Sequence, residues 1–190
     1  MTPSPLRRPL EHSQPPLPRI PGSVFEGLFV RGLKVSGRLA QELEALGYDI
    51  RKPEVDYPIL LWQRAVALVR QEVFGELTDE EAHRQVGRTL VDGFAETLLG
   101  RVAAVALPMI GPARAVERIP RYLAMMGRAD LEVTMTPVGE RGRRLVIPDR
   151  FNRPELFAGG FERMLELANA QPRITVEERF SDSYRLLIRW

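Results

Sequence analysis

The sequence contains no cysteine. That single absence excludes a disulfide framework, thiol catalysis and thiolate metal sites together. Histidine is almost as scarce, with only His12 and His83 present. The two fall in unrelated stretches, so no metal ligand set is expected from them. Lysine is confined to Lys34 and Lys52, and neither sits in a glycine-rich turn, which leaves no G-x-x-x-x-G-K-[ST] phosphate loop. Gly27, Gly32 and Gly37 are spaced by five and miss the G-x-G-x-x-G dinucleotide pattern. An excess of one charge is missing too. The balance of 27 Lys+Arg against 25 Asp+Glu gives a net charge of +2, which argues against the concentrated basic face that nucleic acid demands. No unbroken apolar run reaches the roughly 18 residues of a membrane span. The first residues lack the apolar stretch of a secretory signal. A cytoplasmic protein without a membrane span is therefore expected.

What is present suits a folded domain: 190 residues, 44% hydrophobic and 27% charged. Residues 1–22 hold Pro3, Pro5, Pro9, Pro15, Pro16, Pro18 and Pro21. Fixed φ angles and missing backbone donors predict an extended or disordered tail there, with a single domain over 23–190. Pro15 and Pro18 have the spacing of a P-x-x-P docking peptide.

The segment Val24 to Val30 mixes β-branched and aromatic residues and reads as a strand or a short buried element. Ser36 can cap a helix carrying Leu39, Leu43 and Leu46, which Gly47 ends. Pro58 suits the first turn of a second helix, with Leu61, Ala65, Leu68 and Val69 on one face. Thr78-Asp79-Glu80-Glu81 is a capping box. The helix it opens carries Ala82, Val86, Leu90 and Phe94, and its Gly87 and Gly93 predict close backbone approach to a neighbour. Leu98 to Ile110 is apolar nearly all round except for Arg101, which predicts a helix buried on every side. Gly111-Pro112 closes it, and Pro120 predicts a break in the helix from Ala113 to Met126.

After residue 130 the hydrophobic period falls to two. Leu131, Val133 and Met135 alternate with polar neighbours, Gly139 to Gly142 turns the chain, and Arg144 to Ile147 returns. Pro154 to Ala170 reads as a helix with Leu156, Phe157, Phe161, Leu165 and Ala168 inward. Gly159-Gly160 within it leaves room for the sheet, a ligand or another helix. Ile174, Val176 and Phe180 alternate, Ser181 to Ser183 turns, and Tyr184, Leu186, Ile188 and Trp190 complete the pattern. The expected fold is α+β: an N-terminal helical half followed by a β-β-α-β-β four-stranded antiparallel sheet with one wet face. Arginines on that face should be charge-paired with Glu132 and Glu177.

Several stretches carry a resemblance: Phe25-Glu26-Gly27-Leu28-Phe29, Ala45-Leu46-Gly47-Tyr48-Asp49, Tyr57-Pro58 with Trp62, and Gly87 to Phe94 (GRTLVDGF). Thr97 to Arg101 and Arg118 to Arg121 extend it over most of residues 24 to 190. On these the chain resembles a large myxobacterial paralogous family of unknown function. Its order of elements is similar to the haem–nitric-oxide/oxygen-binding fold and the 4-vinyl-reductase-like ligand-binding domains. That resemblance implies a pocket between helices and sheet. The haem-binding relatives need a histidine on the helix before the sheet and a Y-x-S-x-R motif near its second strand. Here Ala113 to Met126 holds no histidine, and Arg144 to Arg150 reads R-L-V-I-P-D-R, so no cofactor is expected.

Two functional readings follow. One is a non-enzymatic sensory or ligand-binding domain, with Phe94, Leu98, Val102, Val105, Leu123 and Met126 lining an apolar pocket for a small hydrophobic molecule. The other is a protein-interaction module, as a homodimer or with a protein partner, whose pocket is filled. No catalytic residues are assigned, because His83 lies among Glu80, Glu81 and Arg84 with no nucleophile placed beside it.

Overall fold

The computed structural model describes residues 16–190. The readings made on His12 and on Pro3 to Pro15 lie outside them. Strand β1 (Arg19–Pro21) pairs antiparallel with β2 (Asp56–Pro58), with Ile20 opposite Tyr57. Proline is tolerated in both because a two-stranded ribbon is all edge.

Helix α1 (Gly22–Phe25) runs directly into a π-helical segment, Glu26–Gly32. The Val24 to Val30 stretch is thus buried but not extended. Phe25, Leu28 and Phe29 fall at i, i+3 and i+4, and all three are fully buried. Seven mostly apolar residues do not distinguish strand from buried helix by composition. Tertiary contact decides it: the Phe25 ring lies 4.5 Å from Tyr57, 5.0 Å from Tyr48 and 5.4 Å from Trp62. These rings form one core at the N-terminal end, together with α2 (Gly37–Leu46) and α3 (Ile59–Glu72). Gly47, at φ 114°, ends α2 in the left-handed conformation that glycine adopts without a Cβ penalty.

Helix α4 (Asp79–Ala95) opens with the capping box. The Thr78 hydroxyl accepts from the Glu81 amide, and the Glu81 carboxylate accepts from the Thr78 amide at 3.1 Å. The helix is central, packing on the π segment and on α7 (Pro154–Leu167). Its contact with α7 is backbone to backbone: a Cβ on Gly87 would stand 1.9 Å from the Leu156 carbonyl oxygen, and one on Gly159 would stand 1.9 Å from that of Arg84. The paired glycines of α7 therefore admit another helix, not the sheet.

Helix α5 (Leu98–Glu117) contains Pro108 and Pro112 and is broken at Gly111, whose φ is 73°. Arg118 separates it from α6 (Ile119–Met125), which takes Pro120 in its first turn. Among the described residues α5 alone has the length and composition to match a membrane span, and little of it is buried.

The C-terminal half forms the predicted strands and helix, but the alternation fails at Phe180: the strand that begins at Arg173 shifts register between Val176 and Glu178 and ends at Arg179, which leaves Phe180 half exposed beyond it. Strands β3 (Thr134–Pro137), β4 (Gly142–Ile147), β5 (Arg173–Arg179) and β6 (Tyr184–Arg189) form an antiparallel sheet in the order β3-β4-β6-β5. Leu145 pairs across to Leu186, and Ile174 to Ile188. Together with Ile147 and Tyr184 they bury one face against α7. On the wet face Arg144 forks onto Glu177 at 2.7 and 3.0 Å, and Arg185 meets Glu178 at 2.7 Å. β3 begins at Thr134 instead of Leu131, because Val133 bonds back to the Leu131 carbonyl in a turn.

Candidate functional site: an apolar cavity beneath helix α5

A cavity of about 100 Å³ opens where α4, α5, α6 and α7 converge. α4 contributes Leu90, Val91 and Phe94 to its wall, and α7 contributes Leu156, Phe157, Phe161 and Met164. α6 closes one end with Tyr122, Leu123, Met125 and Met126. The roof is α5, which presents Gly100, Ala103, Ala104 and Leu107. These four fall at i, i+3, i+4 and i+7, so three small residues and one leucine occupy a single face. Small side chains let the helix cross the space without filling it. Tyr122 carries the only polar side-chain group among the lining residues.

Aromatic and charged contacts flank the floor. Phe157 stacks 5.9 Å from Phe161 and 6.0 Å from Tyr184. Along the outside of the α4–α7 contact, Arg88 pairs with Glu166 at 2.8 Å, Arg163 with Asp92 at 2.5 Å, and Arg84 with Glu162. The Arg88 hydrogen bond holds the Glu166 carboxyl below its ordinary value.

Of the six side chains expected to line a pocket, Phe94, Leu123 and Met126 meet at this cavity. Leu98, Val102 and Val105 lie on the opposite, outer face of α5, exposed at 88%, 72% and 71%. The expectation of a helix buried on every side is therefore corrected. An all-apolar helix has no polar stripe to identify its outer face, and here only Gly100, Leu107, Ala115 and Val116 are buried. Sequence reasoning missed Gly100, Ala103 and Ala104. Their signal was size, not polarity.

A second hollow, of about 280 Å³, sits at the start of α7 and is polar. Three of its four charged lining residues, Asp149, Arg153 and Arg179, are ion-paired, and the fourth, Arg150, lies over the Phe151 ring at 5.0 Å. Asp149, wholly buried, takes Arg128 at 2.8 Å, the Phe151 amide at 2.8 Å and the Asn152 side chain at 2.7 Å. Arg179 spans Glu155 and Glu80. Burial, with Asp149 nearby, pushes the Tyr184 hydroxyl well above its ordinary value, so it remains a neutral phenol. The site has the character of a buried ion-pair network that pins the loop before α7. His83 lines neither hollow: its Nδ1 lies 2.7 Å from the Asp79 carbonyl oxygen, and the Asp79 carboxylate pairs with Arg153 on the wall of the second. No group of three or more metal-ligating side chains occurs among the described residues.

Comparison with solved structures finds the same fold in H-NOX (haem–nitric-oxide/oxygen-binding) proteins. An H-NOX protein from S. oneidensis in the Fe(II)NO ligation state superposes with a TM-score of 0.69 at 14% identity, over 90% of this chain and 98% of that one. A structure from work on modulating haem redox potential through protein-induced porphyrin distortion gives 0.68 at 14% identity, over 90% and 100%. A mutant Fe(II) unliganded H-NOX protein from K. algicida gives 0.64 at 10% identity, over 90% and 96%. Identities this low establish the fold alone. No curated protein matches the sequence. The sequence profile that does match is described as "Protein of unknown function (DUF2378)" and spans residues 19–190, so this chain belongs to the DUF2378 family.

Proposed function

We propose that the protein is a non-enzymatic sensory domain that binds a small apolar molecule, without haem, in the cavity beneath α5. The observation that carries this reading is the cavity wall, where hydrocarbon and thioether surround about 100 Å³ of space. A dry apolar cavity of about 150 Å³ in a protein core is known to admit benzene or xenon. The ligand class is therefore a compact apolar molecule, and larger ones require α5 to lift. The small inner face of α5 supports the same reading, since larger side chains there would fill the space.

The residues present do not fit haem. The lining holds no histidine, and the chain holds no cysteine. That leaves Tyr122 and methionine thioethers as candidate iron ligands, a poor donor set beside the histidine or thiolate that usually holds haem. The volume also falls short of the roughly 300–1,000 Å³ typical of pockets for drug-sized ligands. Against catalysis stands the absence, among the described residues, of a nucleophile beside a base, with the His83 ring engaged on a backbone carbonyl.

Native mass spectrometry and thermal shift test the reading on the full chain, using xenon, benzene, indole and short alkanols as probes. Expected are an adduct or a rise in Tm for at least one probe, lost in Ala104→Phe, which fills the cavity while leaving the fold stable. Haemin titration is expected to give no shifted Soret band. The bare chain mass with no Tm change across the panel would overturn the ligand reading, and a one-to-one haem complex would overturn the haem-free one.

A further inference from the structure

We propose that the outer face of α5 docks on an anionic lipid surface, seated at the boundary between headgroups and acyl chains. Leu98, Val102, Val105 and Met109 fall at i, i+4, i+7 and i+11, with Leu99 beside them, and all five are exposed. The apolar run extends only from Leu98 to Ile110, because Gly111 breaks the helix at φ 73°. At about 1.5 Å per residue it spans roughly 20 Å, short of the roughly 30 Å hydrocarbon core that a crossing helix must match. An apolar helix of this length belongs in a protein core or in a membrane interface. Its larger side chains are the exposed ones, which fits the interface and not the core.

Charge names the lipid. Arg101 flanks the stripe near one end, and Arg114 stands exposed beyond the break at the other. The Arg101 Nε is turned to the Glu96 carbonyl at 3.1 Å, and the terminal nitrogens of its guanidinium have no partner among the described residues. Arg114, Arg118 and Arg121 are exposed and make no ion pair among those residues, whereas Arg84, Arg128 and Arg163 elsewhere are paired. From Glu96 to Met126 the sequence holds four arginines and two glutamates, so the net charge of +2 resides in this stretch and the rest of the chain balances. Glu117 lies 3.7 Å from Arg143, which leaves Glu96 as the one acid here without a cation among the described residues. Cations at both ends select no direction for a second copy, but an anionic surface takes both at once. Each arginine near such a surface adds about 5-fold to binding. So few cations beside one apolar stripe give a reversible, salt-sensitive attachment. It stands whether or not the cavity beneath α5 is filled.

Flotation of the full chain with unilamellar vesicles tests this, using phosphatidylcholine alone or with about one-third phosphatidylglycerol. The wild type is expected to bind the anionic vesicles at low salt about 10-fold or more tightly than the neutral ones, and to leave them as salt rises. Arg101→Gln and Arg114→Gln should each weaken binding to the anionic vesicles by about 5-fold and leave binding to the neutral ones unchanged. Val105→Glu places a charge in the middle of the stripe and should weaken binding to both by about 10-fold or more. Because Val105 is largely exposed, the circular-dichroism melt of that variant should match the wild type. A wild type that does not float with anionic vesicles at low salt overturns the proposal, as does a Val105→Glu protein that floats like the wild type. A dimer in sedimentation velocity that Val105→Glu dissociates also overturns it, and would assign the face to a second copy.

Discussion

Gly87→Ala and Gly160→Ala place the same methyl group on opposite sides of the α4–α7 contact, and they should move stability in opposite directions. Helix propensity alone makes both substitutions stabilising by about 0.5–1 kcal/mol, because glycine loses the most backbone entropy in a helix. At Gly160 nothing opposes this. The nearest atoms to a new Cβ are the Gly87 carbonyl oxygen at 3.5 Å and a Val91 methyl at 3.6 Å, ordinary contact distances. At Gly87 the new Cβ would stand 1.9 Å from the Leu156 oxygen and 2.8 Å from the Gly160 nitrogen. Both are backbone atoms inside a helical turn, so no side chain can rotate away. The helices must separate by about 1 Å, a gap that forfeits a quarter to a half of the dispersion energy of each contact along the seam. Overpacking of this kind costs about 1–3 kcal/mol or more. Net destabilisation of about 1 kcal/mol remains after the propensity gain, from the middle of each range. Urea denaturation followed by circular dichroism reads both, with a lower midpoint for Gly87→Ala and a higher one for Gly160→Ala. A Gly87→Ala protein at least as stable as the wild type would refute the close helix approach from which the cavity walls are built.

Two further predictions concern charge. Arg128→Met leaves the wholly buried Asp149 carboxylate with only the Phe151 amide and the Asn152 side chain. Stranding a buried ion in this way costs about 3–5 kcal/mol, with the lower end expected because two hydrogen bonds remain; denaturant melts measure it. Glu166→Gln should flatten the acid limb of the stability curve. The Glu166 carboxyl is held below the ordinary 4.5 by hydrogen bonding to Arg88 and then Arg163. The unfolded chain therefore binds its proton first, and stability rises with pH through that window. The contribution is complete above about 4.5 and disappears as pH falls through the depressed folded value. Because Glu166 is about one-third exposed, solvent screening limits the effect to about 0.5–1 kcal/mol. Equal pH slopes for variant and wild type between pH 6 and 3 would contradict it.

The two halves of the chain differ in how far their structure was legible in the sequence. In the C-terminal half the side-chain period of two survives without help from distant residues. Leu145, Ile147, Leu186 and Ile188 are all buried, while their alternating neighbours Arg144 and Arg185 meet acids on the wet face. The turns at Gly139 to Gly142 and Ser181 to Ser183 supply the rest. The capping box at Thr78 is likewise local chemistry and folds as its residues dictate. Val24 to Val30 was not legible, because its state depends on Tyr48, Tyr57 and Trp62, far off in sequence. The same holds for Gly87 and Gly159. Close approach follows from residue type, but which element approaches is a property of the assembled fold.

Helix α5 is the instructive case for the site. Between Leu98 and Ile110 hydrophobicity is nearly uniform around the axis, so a reading by polarity assigns the whole helix to the interior. Side-chain volume breaks the tie. The inner face carries Gly100, Ala103, Ala104 and Leu107 over a cavity, whereas the outer face carries the larger Leu98, Val102, Val105 and Met109 in the open. Burial for its own sake would place the large side chains inward, where each gains roughly 1.5–3 kcal/mol from leaving water. The reverse arrangement leaves a space on one side and exposed apolar side chains on the other. A helix selected only to complete a core would have neither feature. The distribution of size around α5, and not its average hydrophobicity, is therefore the feature on which the proposed binding rests.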